Sequence, residues 1–305
     1  MRKHLSTIII IAMFIVGLSV LLYPAISNYI NQKNASRAVS EYSEKTKNTG
    51  RSEIEEILAQ AADYNKRLAE TPAAFFAPER VSGYHETLDI TGTGIMGYID
   101  IDRIGVELPI YHTVEDSVLA AGAGHLEGSS LPVGGKGTHC VLSGHRGLPS
   151  AKLFTDLDEM EVGDEFYITV LDKKLTYCID QIKTVLPTET EDLQLVSGKD
   201  YCTLMTCTPY GINSHRLLLR GVRVDNASEK PGIFVSNEAF RIDPLIVTPI
   251  VAVPMLIAAL VFVLLKDRHD RRKRAAARSA KAAADVSPAS ENTEEKEETV
   301  SEETQ

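Results

Sequence analysis

Two long apolar runs without a charged residue stand near the two ends of the chain. The first extends over Leu5–Tyr23, which is 19 residues, and the second over 244–265, which is 22 residues. A helix of about 20 residues rises about 30 Å, close to the hydrocarbon thickness of a bilayer. We therefore predict two transmembrane helices at these positions. A cleaved signal peptide is the alternative for the first run, and a buried soluble helix for the second.

Basic residues flank both runs on the sides that face the chain ends. Arg2 and Lys3 precede the first run, and six basic side chains follow closely after the second. Because such residues stay on the cytoplasmic side, we expect cytoplasmic segments at 1–4 and 266–305 and an outer segment at about 24–243. The tail at 266–305 is basic at first, then rich in Ala and finally in Glu, a composition that predicts disorder.

The first part of the outer segment, residues 24–89, is predicted to be mainly helical. Ser52 and Glu55 have the spacing of a capping box. Apolar residues at helical spacing after them predict an amphipathic helix over 53–69. A further helix is predicted at 34–47. Both helices are expected to pack against the domain that follows.

From Gly94 onward the hydrophobic pattern changes to a period of two. Turn sequences separate the resulting short runs, and no long helical pattern lies between them. This arrangement predicts an all-β sandwich or barrel over residues 90–228, followed by a linker at 229–243. The predicted strands are Met96–Ile101, Val106–Tyr111, Thr138–Ser143, Phe166–Leu171, Leu175–Ile182, Tyr201–Thr206 and Arg216–Val224.

Composition limits the kinds of function that the chain can have. Its 305 residues are 44% hydrophobic, enough for one sizeable core or two small ones. The formal net charge of -10 gives no electrostatic reason to bind nucleic acid. Four cysteines without a Cys-x-x-Cys pair argue against a structural zinc site. His139 and Cys140 are adjacent, but no further ligands stand at suitable spacing, so we predict no metal and no cofactor.

Three residues with catalytic potential stand where predicted strands begin or end. Cys207 ends one strand, Arg216 begins the next, and His145 follows the end of a third. A strand end holds a side chain rigidly at the rim of a sheet. A free thiol, with a pKa of about 8.5, is mostly protonated near neutrality, and a nearby imidazolium or guanidinium favours the reactive thiolate. Histidine can then protonate a leaving amine, and arginine can donate to an oxyanion.

Each of these residues also has an ordinary structural interpretation. A free cysteine is most often a small buried hydrophobe. His145 could be a surface histidine, and Arg216 could belong to a salt bridge at the rim. Arg220 and Arg223, farther along the same strand, are alternatives for the oxyanion role. The other three cysteines are expected in the core: Cys140, Cys178 and Cys202.

The segments around these residues resemble the active-site signature of the sortases. Thr-Leu-Met-Thr-Cys207-Thr-Pro-Tyr-Gly-Ile-Asn-Ser-His-Arg216 and Ser-Gly-His145-Arg-Gly-Leu-Pro are similar to class C, the pilin-polymerising sortases. The resemblance extends over about residues 50–265. It implies an eight-stranded β-barrel in which Cys207 is the nucleophile, His145 the acid and base, and Arg216 the oxyanion stabiliser.

The resemblance also implies a reaction. Class C enzymes cleave the Thr–Gly bond of a Leu-Pro-any-Thr-Gly-like sorting signal, form a thioacyl enzyme, and pass the acyl group to a lysine ε-amine of the next pilin subunit. The expected partners are pilin subunits, at the outer face of the membrane. The Thr-Pro-Tyr-Gly-Ile-Asn run and the second span favour this reading over a housekeeping sortase that uses a peptidoglycan amine. A thiol protease and a catalytically silent scaffold that binds pilins stay open.

The sequence departs from the class C pattern at one place. Sortases of this class usually carry a lid before the barrel, with an Asp-Pro-aromatic triplet whose aromatic ring covers the cysteine. The corresponding stretch, Thr71–Pro78, has no such triplet. Phe75 or Phe76 could cover the groove without the Asp anchor, or could simply pack under a loop. We expect a loosely held or absent lid.

Overall fold

The computed structural model describes residues 5–224 and 244–284, except for the side chains of 5–7, 244–251 and 282–284. The predicted cytoplasmic N-terminus, the predicted linker at 229–243 and the last part of the predicted tail, 285–305, lie outside the described residues. Residues from Leu22 to the end of the last strand belong to one compact unit, which does not include the C-terminal helix.

Eight strands close into a barrel in the order β1-β2-β3-β4-β7-β8-β6-β5. The β2–β3 and β4–β7 pairs are parallel, and the other pairs are antiparallel. A closed barrel leaves no unpaired strand edge. The strands are β1 (Ile95–Ile101), β2 (Val106–His112), β3 (Ala123–His125), β4 (Thr138–Ser143), β5 (Glu165–Val170), β6 (Lys173–Val185), β7 (Asp200–Thr208) and β8 (His215–Val224).

The barrel confirms the predicted fold class, and each predicted run lies on a strand. Strand β3 was missed because three residues, all buried in the structure, are too few to show an alternating pattern. It lies between β2 and β4, and without it the barrel cannot close. A short helix, α3 (Asp116–Leu119), precedes β3.

Two helices precede the barrel and pack on it. They are α1 (Leu5–Asn48) and α2 (Arg51–Glu70). The Tyr42 hydroxyl of α1 donates to the Met96 carbonyl at 2.9 Å and accepts the Leu171 amide at 2.9 Å. On α2, the Asn65 side chain exchanges two hydrogen bonds with the backbone of Leu131, at 3.1 and 2.7 Å. These buried polar groups therefore dock both helices at defined positions.

The predicted capping box at the start of α2 is wrong. The helix begins at Arg51, its N-cap is Gly50, and no side chain caps it, so Ser52 lies inside the first turn. Glu55 instead accepts a hydrogen bond from Arg51 Nε at 3.1 Å, an i,i+4 ion pair. The helix predicted at 34–47 is confirmed, as part of α1.

Among the described residues, one helix is long and apolar enough to cross a membrane by length and composition. It is α1 from Ile8 to Asn48, whose most apolar window has a mean hydropathy of 2.6 and no buried residue. The second predicted span lies on α4 (Pro244–Ala284), and its first side chains are outside the described residues. The second span therefore stays a prediction.

The tail is more helical than the sequence indicated. Helix α4 continues to Ala284, so the prediction of disorder is wrong for residues 266–284. This part of the tail is made mostly of Ala, Arg and Lys, which have high helix propensity. Strong local propensity for helix outweighs the lack of apolar residues that suggested disorder.

Candidate active site

The register between β4 and β7 brings His145 to the level of Cys207. Ser143 pairs with Met205 at the end of this parallel pair. One step further, the Gly144 amide donates to the Met205 carbonyl at 3.0 Å, and Thr206 Oγ1 donates to the Gly144 carbonyl at 2.8 Å. His145 and Cys207 each lie two residues beyond the last pair. The two segments therefore deliver the histidine and the cysteine to the same end of the barrel wall.

Arg216 reaches the same level from the other side of β7. It is the direct partner of Cys207 in the antiparallel β7–β8 pair. Because directly paired residues on adjacent strands point to the same face, the cysteine and the arginine share one face of the sheet. Cys202, at an odd offset along β7, is fully buried, whereas Cys207 is partly exposed, as alternation predicts.

Phe154 supports the backbone around His145 through a hydrogen bond and through the packing of its ring. The Phe154 amide donates to the His145 carbonyl at 3.1 Å. The Phe154 ring also lies against Gly144, where a Cβ atom would come within 2.5 Å of the ring. Glycine is thus required immediately before the histidine, because any side chain there would displace the ring. The imidazole itself is partly exposed.

The Arg216 guanidinium is turned toward its own loop. Its Nη1 atom donates to the carbonyls of Asn213 at 3.4 Å and His215 at 3.2 Å. Both contacts are at the long end of the hydrogen-bond range, so they are weak. The guanidinium can therefore be recruited by a negative charge that develops beside Cys207.

The two alternative arginines are engaged elsewhere. Arg220 pairs with both carboxylate oxygens of Asp180, at 2.9 and 2.8 Å. The Arg223 guanidinium lies over the Tyr177 ring, 5.6 Å from its centroid. Both residues are farther along β8, away from the level of Cys207. Their positions favour Arg216 for the oxyanion role.

The segment before the barrel covers part of the face that carries Cys207. Phe75 packs on an outer apolar cluster that lies on the opposite side of the wall from the barrel interior. Phe76 is 68% exposed and contacts the Phe75 ring edge to face at 5.2 Å. The outer apolar cluster consists of Val141, Leu193 and Leu218, flanked by Leu126, Val185 and Met205. The segment thus lies on this face without an Asp-Pro-aromatic triplet.

A close backbone approach also holds this segment. A Cβ atom at Gly128 would meet the Phe75 carbonyl oxygen at 2.6 Å, and Gly128 has a φ of +88°. Only glycine combines this backbone conformation with such close contact. The loop after β3 therefore fixes the position of Phe75.

The other three cysteines and His139 have the contacts of ordinary structural residues. Cys140 and Cys202 are buried partners on β4 and β7, whereas Cys178 is partly exposed, so its predicted core position is wrong. Within the described residues no group of three or more potential ligands could hold a metal ion. Both ring nitrogens of His139 have hydrogen-bond partners, Gln194 O at 2.9 Å and Thr203 Oγ1 at 2.7 Å.

One residue of this site was missed from the sequence. Arg146, directly after His145, has a side chain that is only 9% exposed and contacts Thr208, the neighbour of Cys207. Its position inside the Ser-Gly-His-Arg-Gly motif was the available signal. A basic residue next to a candidate histidine is an ordinary surface feature unless its burial is known.

A closed barrel with a cysteine, an arginine and a histidine at one level of its wall is the framework of a thiol-dependent acyl-transfer enzyme. A family model, the sortase domain, matches residues 99–224. The structure of sortase C1 from Streptococcus agalactiae is 46% identical, with a TM-score of 0.57, and the match covers 62% of this chain and 99% of that one. The chain belongs to the sortase family, whose members are cysteine transpeptidases.

Two further comparisons agree with this assignment. Sortase C from Streptococcus pneumoniae is 44% identical with a TM-score of 0.57, and the match covers 62% of this chain and 97% of that one. Sortase A from Bacillus anthracis is 25% identical over 231 residues, which is 75% of this chain and 99% of that protein. The similar solved structures are class C sortases, whereas the similar curated proteins include sortase A.

Proposed function

We propose that the protein is a membrane-anchored transpeptidase that joins pilin subunits through isopeptide bonds. The observation that carries this proposal is the 46% identity to sortase C1 over 99% of that chain. The sortase C of Streptococcus pneumoniae is described in terms of pilin substrate specificity. The cross-strand pairing of Cys207 with Arg216 supports the chemistry.

In the first step, Cys207 Sγ attacks the threonine carbonyl of a Leu-Pro-any-Thr-Gly-like sorting signal. The carbonyl oxygen becomes negative, and Arg216 leaves its weak backbone contacts to donate to it. His145 takes the proton of the Cys207 thiol and gives it to the departing glycine amine as the C–N bond breaks. The products are a thioacyl enzyme and the released C-terminal fragment.

In the second step, a lysine ε-amine of the next pilin subunit attacks the thioester carbonyl. His145 accepts a proton from that amine, and Arg216 again donates to the oxyanion. The C–S bond breaks, an isopeptide bond remains, and His145 passes the proton that it took from the amine to the Cys207 sulfur, which restores the thiol. No cofactor takes part in either step.

We assign the role of a lid to the segment around Phe75. This ring covers the outer apolar cluster on the face that carries Cys207. An apolar sorting-signal side chain that binds there has to displace it. Phe76 is largely exposed and has no such role.

The proposed location is the outer face of the membrane, with both chain ends in the cytoplasm. The apolar part of α1 supports one anchor. The second anchor at 244–265 and the domain limits at 24–89 and 90–228 are proposed from the sequence pattern. In this arrangement the catalytic barrel meets substrates as they leave the secretion channel.

A second candidate function is the attachment of surface proteins to a peptidoglycan amine. The similarity to sortase A from Bacillus anthracis over 231 residues favours it. Both functions use the same thioacyl enzyme, so they differ only in the acceptor. A competition between acceptors separates them.

The test uses the full chain in detergent with a pilin that carries a C-terminal sorting signal, with and without a peptidoglycan-type amine. We expect high-molecular-weight ladders that disappear with Cys207→Ala and persist with Cys178→Ala, the matched control at a partly exposed cysteine. Transfer to the peptidoglycan amine alone favours the second function. Hydrolysis alone indicates a thiol protease, and pilin binding without cleavage indicates a scaffold.

A further inference from the structure

Arg146 lies between the two chain segments that carry His145 and Cys207. Its side chain is 9% exposed, and its Nη2 atom pairs with Asp158 Oδ2. Its Nη1 atom lies 3.4 Å from Thr208 Oγ1, and its guanidinium carbon is 5.9 Å from the centroid of the Tyr210 ring. One guanidinium therefore touches the strand end on one side and the turn after Phe154 on the other.

These side-chain contacts begin where the backbone contacts stop. The last backbone hydrogen bond between the two segments joins Gly144 to Met205. In the described part of the chain, no backbone hydrogen bond joins residues 145–148 to 206–209. The separation of His145 from Cys207 is therefore set by side chains, and Arg146 supplies the contact with Thr208.

The Arg146 side chain is more deeply buried than its ion pair with Asp158 requires. The Asp158 side chain is 46% exposed, so the pair could equally form at the surface. Instead the guanidinium is drawn inward, and its Nε atom is buried without a hydrogen-bond partner among the described residues. A buried unpaired donor is unfavourable, so the inward position has a cost that the contact with Asp158 does not explain.

We propose that Arg146 is a positioning residue for the His145–Cys207 pair, a role that rests on the proposed function of those two residues. Asp158 fixes the guanidinium, which then contacts the chain after Cys207 at two places, through a long hydrogen bond to Thr208 and over the face of the Tyr210 ring. The imidazole and the thiol then keep one separation while the proton moves in both acyl-transfer steps. A displacement of about 1 Å is enough to slow such a step about a hundredfold.

The variants are Arg146→Gln, which removes the charge and the fork, and Arg146→Lys, which keeps the charge alone. The matched control is Arg103→Gln, which removes a guanidinium that pairs with Glu161 and Asp164 away from the site. All proteins are full chains in detergent and carry Cys178→Ala. Two rates are measured at pH 7: cleavage of a fluorogenic Leu-Pro-Glu-Thr-Gly peptide and alkylation of Cys207 by iodoacetamide.

We expect Arg146→Gln to lower kcat for cleavage by about 10- to 100-fold with KM within about twofold, because binding precedes the misaligned proton transfer. Each kcat is divided by the fraction of folded protein, measured in the same iodoacetamide reaction as the fraction of molecules whose buried Cys140 and Cys202 thiols stay unlabelled. Arg146→Lys should recover part of the loss. Arg103→Gln should retain the parent kcat.

An unchanged kcat per folded molecule in Arg146→Gln overturns the proposal, as does an equal loss in Arg103→Gln. If Arg146→Gln does not fold, Thr208→Val removes the acceptor while Arg146 keeps its pair with Asp158, and a normal kcat in that variant contradicts the positioning role. Peptide cleavage needs no pilin acceptor. A parent that cleaves the peptide but builds no ladders therefore contradicts pilin polymerisation and leaves the test of Arg146 intact.

Discussion

Cys207 and Arg216 are direct cross-strand partners on β7 and β8, nine residues apart in sequence and joined by a loop at the barrel rim. This pairing puts a guanidinium on the same face as the thiol. The next pair on the same face, Met205 with Leu218, belongs to the outer apolar cluster. The Cys207–Arg216 pair and the apolar Met205–Leu218 pair therefore lie side by side on one face of the β7–β8 hairpin.

Replacing Arg216 should remove catalysis without unfolding the barrel. We expect Arg216→Ala to lower kcat for sorting-signal cleavage by about 100- to 1,000-fold, the usual effect of removing one oxyanion donor. The melting temperature should change little, because the guanidinium contacts only two carbonyls of its own loop. Peptide cleavage and thermal unfolding measure the two effects.

Arg220→Lys is the matched control for this prediction. It disrupts the two-pronged pair with Asp180 farther along β8 and should leave kcat within about twofold. A comparable loss of kcat in Arg220→Lys would contradict the assignment of the oxyanion role to Arg216.

Phe75 and Phe76 form a matched pair for testing the lid. Phe75→Ala removes a ring that packs on the outer apolar cluster, so the segment should open and alkylation of Cys207 by a bulky maleimide should accelerate about fivefold. Phe76→Ala removes an exposed ring and should leave the rate unchanged. Equal rates in the two variants would show that Phe75 does not cover the site.

Gly128→Ala should displace the segment around Phe75 from the outer apolar cluster. Its new Cβ atom would lie 2.6 Å from the Phe75 carbonyl oxygen, and alanine is strained at a φ of +88°. We expect faster maleimide labelling together with a lower melting temperature. Gly163→Ala, which also has a positive φ but open space around it, is the control for strain alone and should not accelerate labelling.

Helix α1 is coupled to the loop after His145 by a hydrogen bond beyond its apolar segment. Asn28 Oδ1 on α1 accepts the Lys152 amide at 2.8 Å. Asn28→Ala should accelerate hydrogen exchange of the Lys152 amide about five- to tenfold, as loss of one hydrogen bond worth about 1 kcal/mol implies. Asn34→Ala, at an exposed position of the same helix, is the control. Unchanged exchange in Asn28→Ala would contradict this coupling.

His139 should make the fold less stable at mildly acidic pH. Its Nδ1–H donates to the Gln194 carbonyl, and in the neutral ring its Nε2 accepts from the Thr203 hydroxyl. Burial lowers the pKa of His139 below its ordinary value of about 6.5. As pH falls through that value, the unfolded chain binds a proton that the folded chain does not, so stability is lost.

We expect the melting temperature of the parent to fall about 2–4 °C more than that of His139→Gln between pH 7.5 and 5.5. Asp100 has the opposite tendency, because burial and then the nearby Glu107 raise its pKa to about 6. That contribution is common to both proteins and cancels in the comparison. Parallel pH dependences would show that His139 is not responsible.

Several features of the protein could be predicted because they depend on residues that are close in sequence. Period-two alternation identified seven strands, and charge-free length identified the part of α1 that is apolar enough to cross a membrane. The motif around Cys207 and Arg216 could be recognised because both residues belong to one hairpin. Local patterns failed where the signal was short or ambiguous, as at β3, at the start of α2 and at the Ala-rich part of α4.

The sequence by itself determined which residues are candidates for the chemistry, since a thiol, an imidazole and a guanidinium are properties of side chains. Only the tertiary structure decided their arrangement. A parallel β4–β7 pair brings together segments 62 residues apart, with Gly144 and Arg146 fixing the histidine's end of that pair. Phe75, not Phe76, covers the outer face, because packing selects one ring where the sequence offers two similar ones. Contacts between distant segments leave no pattern in the sequence around either residue. The burial of side chains and the register of strands could therefore be learned only from the structure.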